Sequence, residues 1–250
     1  MIRTFKDNRL ITVDSLREAF QISVSGQPVI SLTGAGGKTT TIRRLAEEYV
    51  KDDMPVIITT TTHMLMENVP WMLLEPSMVK AGLILKREKR LLAGTKSENG
   101  KISMPQETFL KDLLEMGSPV LIEADGAKRL PIKVQGENEP VLLKETTHII
   151  NVYGLDALGK RLKDVCFRSS FAAKILKCSE EDIVKEKEIA KLAMEFKQRK
   201  AGESGKVQYH VLLNKADTQE DIKRAENICF LLADEGMTDI TVTGMDEKEG

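Results

Sequence analysis

The stretch Thr33-Gly34-Ala35-Gly36-Gly37-Lys38-Thr39-Thr40 decides the fold of this 250-residue chain. It follows an apolar run at residues 29–32 and precedes residues 42–50, where apolar side chains recur at helical spacing. These patterns predict a buried strand, a glycine-rich turn and an amphipathic helix. The backbone N–H groups of such a turn, together with the helix N-terminus, attract an anion. The sequence therefore predicts a phosphate-binding turn.

The residue types in the turn fit this chemistry. The glycines let the backbone approach an anion with no Cβ in the way, and Lys38 adds a mobile positive charge. Thr39 follows the lysine directly, where its hydroxyl can bind Mg²⁺. The alternative is a turn that needs glycine for packing only, but such a turn has no use for Lys38 beside two threonines. The residues that we expect to hold the nucleotide phosphates are Gly34, Ala35, Gly36, Gly37, Lys38, Thr39 and Thr40.

The turn is shorter than the common phosphate-binding pattern. The pattern G-x-x-x-x-G-K-S/T needs glycine at position 32, where this chain has Leu32. The match is to the shorter form G-x-x-G-K-T-T, which resembles the turn of Mur-type ligases.

Composition excludes several classes of function. The chain has 37 basic and 38 acidic residues and only 4% aromatic residues, which argues against a nucleic-acid partner. Its three cysteines form no C-x-x-C pair, so we expect a reducing compartment and no thiolate zinc site. No apolar run reaches the ~20 residues that span a membrane, so we expect no membrane segment and a cytoplasmic protein.

The remaining pattern alternates strands with helices. We therefore predict an α/β fold of three layers, P-loop NTPase-like, with a mostly parallel sheet flanked by helices. Residues 1–250 read as a single domain with an irregular insertion at about 64–104. Ligands of such sheets bind at the carboxyl ends of the strands. Beyond the first strand and helix, we predict strands at 56–58, 120–122, 149–152, 207–213 and 240–242, and helices at 14–20, 105–116, 180–199 and 222–232.

Two acids close the predicted strand at 120–122. Glu123 or Asp125 could hold Mg²⁺ opposite Thr39 or activate a water molecule, although Asp125-Gly126 could also be a plain turn. Basic residues follow directly, and they would either clamp phosphate or an anionic substrate, or belong to a solvated loop. These candidate substrate-binding residues are Lys128, Arg129 and Lys133.

Four threonines and a histidine close the predicted strand at 56–58. Threonine favours strands, so part of the run is simply strand. The hydroxyls of Thr61 and Thr62 would suit a substrate or γ-phosphate contact. His63 could be a base, a metal ligand or an ordinary loop histidine. The candidate catalytic residues are thus Lys38, Glu123, Asp125 and His63, and the candidate metal ligands are Thr39, Glu123 and Asp125.

Asn214-Lys215-Ala216-Asp217 follows the strand predicted at 207–213 and matches the N-K-x-D pattern of GTP-binding proteins. There the aspartate accepts hydrogen bonds from guanine, so Asn214, Lys215 and Asp217 are candidate base-binding residues. Alternatively, Asp217-Thr218 only caps the last helix. The expected cofactors are Mg²⁺ and a nucleoside triphosphate, with GTP and ATP both open.

Several of these stretches together resemble the selenium-dependent hydroxylase accessory family, also called YqeC. The resemblance spans about residues 14–244, and its most particular stretch is Glu-Ala-Asp-Gly-Ala-Lys-Arg-Leu-Pro, beginning at Glu123. One departure is Cys166-Phe167-Arg168-Ser169, where the family pattern has His-Arg-Pro. The stretches that carry the resemblance are residues 33–40, 59–64, 123–131, 139–141, 154–160 and 214–217.

The resemblance implies a nucleoside triphosphatase that assists the maturation of selenium-dependent molybdenum hydroxylases. It implies that Thr39 and Asp125 hold Mg²⁺ and that Asn214 and Asp217 hold the base. The implied partners are a molybdenum hydroxylase or a selenium cofactor component, and a homodimer is possible. Two alternatives stay open: a nucleotide-dependent kinase or ligase that activates a small substrate, and a nucleotide-sensing chaperone module without catalysis.

Overall fold

The computed structural model describes residues 1–23, 26–201 and 207–245. The strands in these ranges are β1 (Ile2–Lys6), β2 (Arg9–Thr12), β3 (Val29–Gly34), β4 (Val56–Thr60), β5 (His63–Leu65), β6 (Met72–Leu73), β7 (Arg90–Ala93), β8 (Thr95–Lys96), β9 (Lys101–Ser103), β10 (Val120–Glu123), β11 (Ile132–Lys133), β12 (His148–Gly154), β13 (Cys166–Phe167), β14 (Gln208–Asn214) and β15 (Ile240–Thr243). The α-helices there are α1 (Leu16–Ala19), α2 (Lys38–Lys51), α3 (Met78–Glu88), α4 (Glu107–Leu114), α5 (Leu162–Val165), α6 (Ser169–Leu176), α7 (Glu186–Phe196) and α8 (Gln219–Asp234).

The main sheet has ten strands in the order β2-β1-β15-β14-β12-β3-β10-β4-β7-β6. Every neighbouring pair from β15 to β6 runs parallel. The hairpin of β1 and β2 is antiparallel and adds to β15. This confirms the predicted α/β fold with a mostly parallel sheet.

Alternation of side chains along the strands builds the layers. In β12, Ile150 and Val152 face one side of the sheet and pack in a cluster with residues of α1 and α2. Ile149 and Tyr153 point to the other side, where the helices are α7 and α8. Helices α3 and α4 cover that same side further along the sheet. The three predicted layers are therefore present. Residues 33–40, which we name the phosphate turn after their predicted role, leave the middle of the sheet.

The segment at about 64–104 is more regular than we expected. Strands β6 and β7 extend the main sheet, and α3 packs on β7. Strands β5, β8 and β9 form a separate antiparallel sheet, whose turn at Asn99 and Gly100 has φ values of 55° and 65°. The apolar runs at 83–85 and 91–93 are too short to distinguish a helix from a strand. We therefore predicted neither α3 nor β7, where these runs lie.

Other elements also differ from the predictions. The β1–β2 hairpin, α5 and α6 were not predicted, and α7 begins at Glu186 rather than near residue 180. The backbone N–H of Ser179 donates to Asp182, so this pair forms a local turn instead of a helix cap. Most of the loop that we placed at 201–206 lies outside the described residues. No helix in the described ranges is long and apolar enough to cross a membrane, and the three cysteines carry free thiols.

Candidate functional site

The phosphate turn connects β3 to α2 through three glycines with positive φ. These angles are 86° at Gly34, 81° at Gly36 and 141° at Gly37. A Cβ at Gly34 would overlap the backbone carbonyl of Val152 in the neighbouring strand β12. The turn is therefore packed tightly against the sheet, and only glycine fits there without strain. Gly37 is the N-cap of α2, so the helix begins at Lys38.

Lys38 and Asp125 meet beneath the turn. The Lys38 ammonium donates to the Gly34 carbonyl at 2.6 Å and lies 3.1 Å from Asp125 Oδ1. The other oxygen, Asp125 Oδ2, accepts from the Gly34 backbone N–H at 3.0 Å and from Gln135 at 3.3 Å. The same oxygen lies 3.1 Å from the Lys133 ammonium. Asp125 is fully buried, so it ties the end of β10 to the phosphate turn from inside the protein.

The charged network continues to Glu139 and Arg168. Lys133 Nζ lies 2.7 Å from Glu139 Oε2, and Arg168 contacts both Glu139 oxygens at 2.6 and 3.0 Å. Burial alone would raise the pKa of Glu139, but the hydrogen bonds from Arg168 and Lys133 outweigh it and lower this pKa to about 2. Lys133 is 2% exposed, and its ammonium is enclosed by Asp125 and Glu139. Lys133 is thus paired with two carboxylates and does not line the cleft, so the structure does not place it beside the other two predicted substrate-binding residues, Lys128 and Arg129.

Glu123 and Thr39 form the second contact between β10 and the turn. The Thr39 hydroxyl donates to Glu123 Oε2 at 2.8 Å, at the edge of the cleft. Burial raises the pKa of Glu123, although the nearby Lys38 ammonium and the Thr39 hydrogen bond oppose this rise. Of the two acids, Glu123 faces the cleft beside the helix N-terminus. Asp125 could bind a metal ion only if the lysines around it moved away.

The threonine run is divided between the core and the cleft. Thr61, 8% exposed, donates its hydroxyl to the Val141 carbonyl at 2.7 Å and does not line the cleft, so the structure does not place it at the predicted substrate contact. Its hydroxyl is already used to hold the 139–141 segment. Thr62 does line the cleft, and its buried hydroxyl oxygen has no hydrogen-bond partner among the described residues. His63 is exposed at the same wall.

The carboxyl end of β14 is hydrogen-bonded to the phosphate turn. Asn214 Nδ2 donates to the Gly36 carbonyl at 2.8 Å, and Asn214 Oδ1 accepts from Thr243 at 2.8 Å. Lys215 lines the cleft and pairs with Asp156 at 2.8 Å. The N-cap of α8 is Thr218. Asp217 instead accepts a hydrogen bond from the Met245 backbone N–H at 2.8 Å.

These elements enclose a cleft of about 780 Å³ at the carboxyl ends of β3 and β10. Among the described residues, no group of three or more His, Cys, Asp and Glu side chains is arranged to hold a metal ion. Sequence reasoning missed Lys101 and Phe167, which lie far from the phosphate turn along the chain. The lining residues are Gly36, Gly37, Lys38, Thr39, Thr40, Thr62, His63, Met64, Leu65, Lys101, Glu123, Gly126, Ala127, Lys128, Arg129, Leu130, Glu139, Phe167 and Lys215.

Comparison with known proteins gives two findings. A family model described as "YqeC protein" matches residues 30–170, which is more than half of the 250 residues. A curated protein of Escherichia coli (strain K12), described as "Uncharacterized protein YqeC", is 32% identical over 139 residues. The aligned part is 54% of each chain, so this chain spans about half the length of that relative. The family match includes the phosphate turn and both acids, whereas the loop at 214–217 lies outside it.

Proposed function

The chain belongs to the YqeC family, and on that premise we propose that it is a Mg²⁺-dependent nucleoside triphosphatase. In this proposal it serves as an accessory factor in the maturation of selenium-dependent molybdenum hydroxylases. The observation that carries the proposal is the hydrogen bond between Thr39 and Glu123 beside the N-terminus of α2. A hydroxyl, a carboxylate, a lysine and a glycine turn meet there, which is the set of groups that a bound triphosphate with its cation requires.

Thr39 and Glu123 would hold the Mg²⁺. Magnesium prefers hard oxygen ligands and usually takes only one or two from protein, with the rest from phosphates and water. Both oxygens already face the cleft, so the donor set fits, whereas the carboxylate of Asp125 is occupied by lysines. The bound ion would neutralise charge on the phosphate oxygens.

Lys38 would bind the terminal phosphates. Its ammonium now contacts Asp125 and the Gly34 carbonyl at the base of the turn. A triphosphate in the cleft offers the ammonium a partner of higher charge. Asp125 would keep Lys133 as its counter-ion after such a move, so no buried carboxylate would be left without a cation.

Thr62 and His63 would sense the terminal phosphate. The Thr62 hydroxyl has no hydrogen-bond partner among the described residues, and an unmet polar group at a cleft wall favours a ligand contact. His63 is exposed beside it and could orient the attacking water. Thr62 precedes β5 and His63 begins it, so both residues lie where the cleft meets the small sheet of β5, β8 and β9.

Asn214, Lys215 and Asp217 would bind the base. The bond from Asn214 to Gly36 sets the loop at 214–217 at a fixed place relative to the phosphates. Asp217 would then accept from guanine, which favours GTP over ATP.

Calorimetry with GTP and with ATP in Mg²⁺ buffer, paired with a phosphate-release assay, tests the function. We expect micromolar or tighter GTP binding with slow turnover, and Lys38→Met should weaken binding at least about tenfold and stop turnover. Asp217→Ala should weaken GTP binding by a similar factor. The matched controls are Lys51→Met, on the same helix α2, and Asp234→Ala, at the end of α8; neither residue lines the cleft or belongs to the loop at 214–217.

Absence of binding by both nucleotides would contradict the proposed function. Tight ATP binding that Asp217→Ala leaves unchanged would contradict the base assignment alone.

A second function has one specific observation in its favour. Lys128 and Arg129 are exposed and line the cleft beside the acids. Cations at this place suit a kinase or ligase that brings an anionic substrate to the triphosphate. Strong stimulation of phosphate release or of phosphoryl transfer by a small acid would distinguish it from a simple hydrolase.

A further inference from the structure

Three of the charged residues that line the cleft form ion pairs. Lys38 contacts Asp125, and Lys215 contacts Asp156. Glu139 is held by Arg168 from one side and by Lys133 from the other. These pairs neutralise one another, so they contribute little to the attraction of a further anion.

Three cations of the cleft are different. Lys101, Lys128 and Arg129 are exposed and line the cleft, and none of them forms an ion pair within the described residues. They come from separate parts of the chain. Lys101 begins β9 of the small sheet, whereas Lys128 and Arg129 lie in the turn that follows β10. The fold therefore brings unneutralised positive charge from two elements to one cleft.

The turn that carries two of these cations has an unusual backbone. Lys128 and Arg129 have φ values of 48° and 61°, although neither is glycine. Left-handed conformations cost energy for side chains of this size, and they concentrate at ligand sites. The Leu130 backbone N–H donates to the Ala127 carbonyl at 3.0 Å and closes the turn. The Lys128 ammonium lies 5.1 Å from the centre of the Phe167 ring, which forms part of the cleft wall.

A triphosphate does not need these three cations. The phosphate turn, Lys38 and the pair of Thr39 and Glu123 already supply its donors and its metal ligands. The cationic groups of Lys128, Lys133 and Arg168 lie 5.1, 5.5 and 4.6 Å from the centre of the Phe167 ring, so this ring supports the basic wall of the cleft. The positive charge that the nucleotide leaves unused is therefore available to a second anion.

We infer that the cleft binds a second, anionic small molecule through Lys101, Lys128 and Arg129, next to the terminal phosphate of the nucleotide. Its recognised group is a carboxylate or a phosphate. The inference rests on the proposed nucleotide site and names the class of substrate that this site takes besides the nucleotide.

Calorimetry on protein saturated with Mg²⁺ and a non-hydrolysable triphosphate analogue tests the inference. The loaded protein is titrated with succinate in one arm and with inorganic phosphate in another, at constant ionic strength set with chloride. We expect saturable binding in at least one arm. Lys101→Ala and Arg129→Ala should each weaken it at least about tenfold, the usual effect of losing one charge-assisted hydrogen bond.

The control is Lys96→Ala, because Lys96 is an exposed lysine of the same small sheet that does not line the cleft. It should change the affinity for the anion less than twofold. Binding of succinate alone identifies a carboxylate ligand, and binding of phosphate alone identifies a phosphate ligand.

Three results separate this inference from the proposed function. If the analogue binds but neither anion does, the inference is wrong and the nucleotide site stands. If Lys101→Ala and Arg129→Ala weaken the analogue itself as strongly as the anion, the cations belong to the nucleotide and the inference is wrong. If the analogue does not bind, the proposed function fails, and the inference fails with it.

Discussion

Asp125 supports the phosphate turn from inside the protein, because its carboxylate contacts the Gly34 backbone and two lysines at once. The residue is fully buried, so each of these contacts replaces water that the carboxylate has lost. A buried carboxylate is stable only while a cation stays beside it, and a buried ammonium likewise needs an anion. Lys38 and Lys133 therefore depend on Asp125 as much as the turn does.

Replacing this carboxylate should cost considerable stability. We expect Asp125→Asn to lower the free energy of unfolding by about 3 kcal/mol, because it leaves the buried Lys38 ammonium without its counter-ion and Lys133 with Glu139 alone. Urea unfolding followed by circular dichroism measures the change.

The matched control is Asp53→Asn, which removes a surface ion pair with Lys89 at 2.9 Å. The Asp53 side chain is 83% exposed, so this change should cost less than about 1 kcal/mol. Equal effects of the two substitutions would contradict the role that we assign to Asp125.

At the scale of elements, two strands besides β10 hold the phosphate turn. Strand β12 lies against Gly34, and Asn214, the last residue of β14, donates a hydrogen bond to the Gly36 carbonyl. The two contacts differ in kind, because the first is with a backbone and the second with a side chain that can rotate. Because of this difference, we expect one glycine substitution in the turn to lower mainly the free energy of unfolding and another to weaken mainly nucleotide binding.

We expect Gly34→Ala to lower the free energy of unfolding by about 3 kcal/mol or more, because the new methyl group would overlap the backbone of β12. Gly37→Ala should cost less, about 1–2 kcal/mol, because beyond the strain of its positive φ the methyl group would meet the Asn214 side chain, which can rotate away. It should nevertheless weaken nucleotide binding strongly, since Asn214 must then leave its place. Urea unfolding and calorimetry on both variants measure the two effects. The reverse order of stabilities would contradict this account.

The sequence predicted those parts of the fold and site that depend on residues close together along the chain. The turn at 33–40 and the strands around it carry local signals, and the structure has the elements there. The burial of Lys133 has no local signal, because it depends on where Asp125 and Glu139 come to lie in the folded chain. The positions of Thr61 and Lys101 also depend on the folded chain. The sequence therefore suggested a ligand contact for Thr61 and gave no sign that Lys101 lines the cleft.

At the scale of the whole molecule, a buried histidine should make stability depend on pH. His210 is 1% exposed and stacks on His148, with ring centres 6.0 Å apart. Burial lowers the pKa of His210 to about 3, and the neighbouring His148 adds to this shift. Unfolding frees the ring to take up a proton at its usual pKa of about 6.5. The unfolded state therefore binds more protons between these two values, and stability must fall as the pH drops through this range.

We expect the free energy of unfolding to decrease from pH 6.5 toward pH 3, with a contribution from His210 of at most about 1.4 kcal/mol per pH unit. His210→Phe should remove this part of the slope, because the ring is kept and the proton is not. Urea unfolding at a series of pH values measures it. The control is His63→Gln, at an exposed histidine, which should leave the slope unchanged; an unchanged slope in His210→Phe would contradict the prediction.

The order of strands in the main sheet determines which part of this chain can fold independently. The family match ends at residue 170, yet β12 pairs along its whole length with β14, which lies beyond that point. A fragment of residues 30–170 would expose seven residues of a buried strand, from His148 to Gly154, as an open edge. Unpaired apolar edges attach to other chains and promote aggregation. Residues 30–170 therefore mark the extent of the family match, and a part of this chain that folds by itself must also include the strands that follow residue 170.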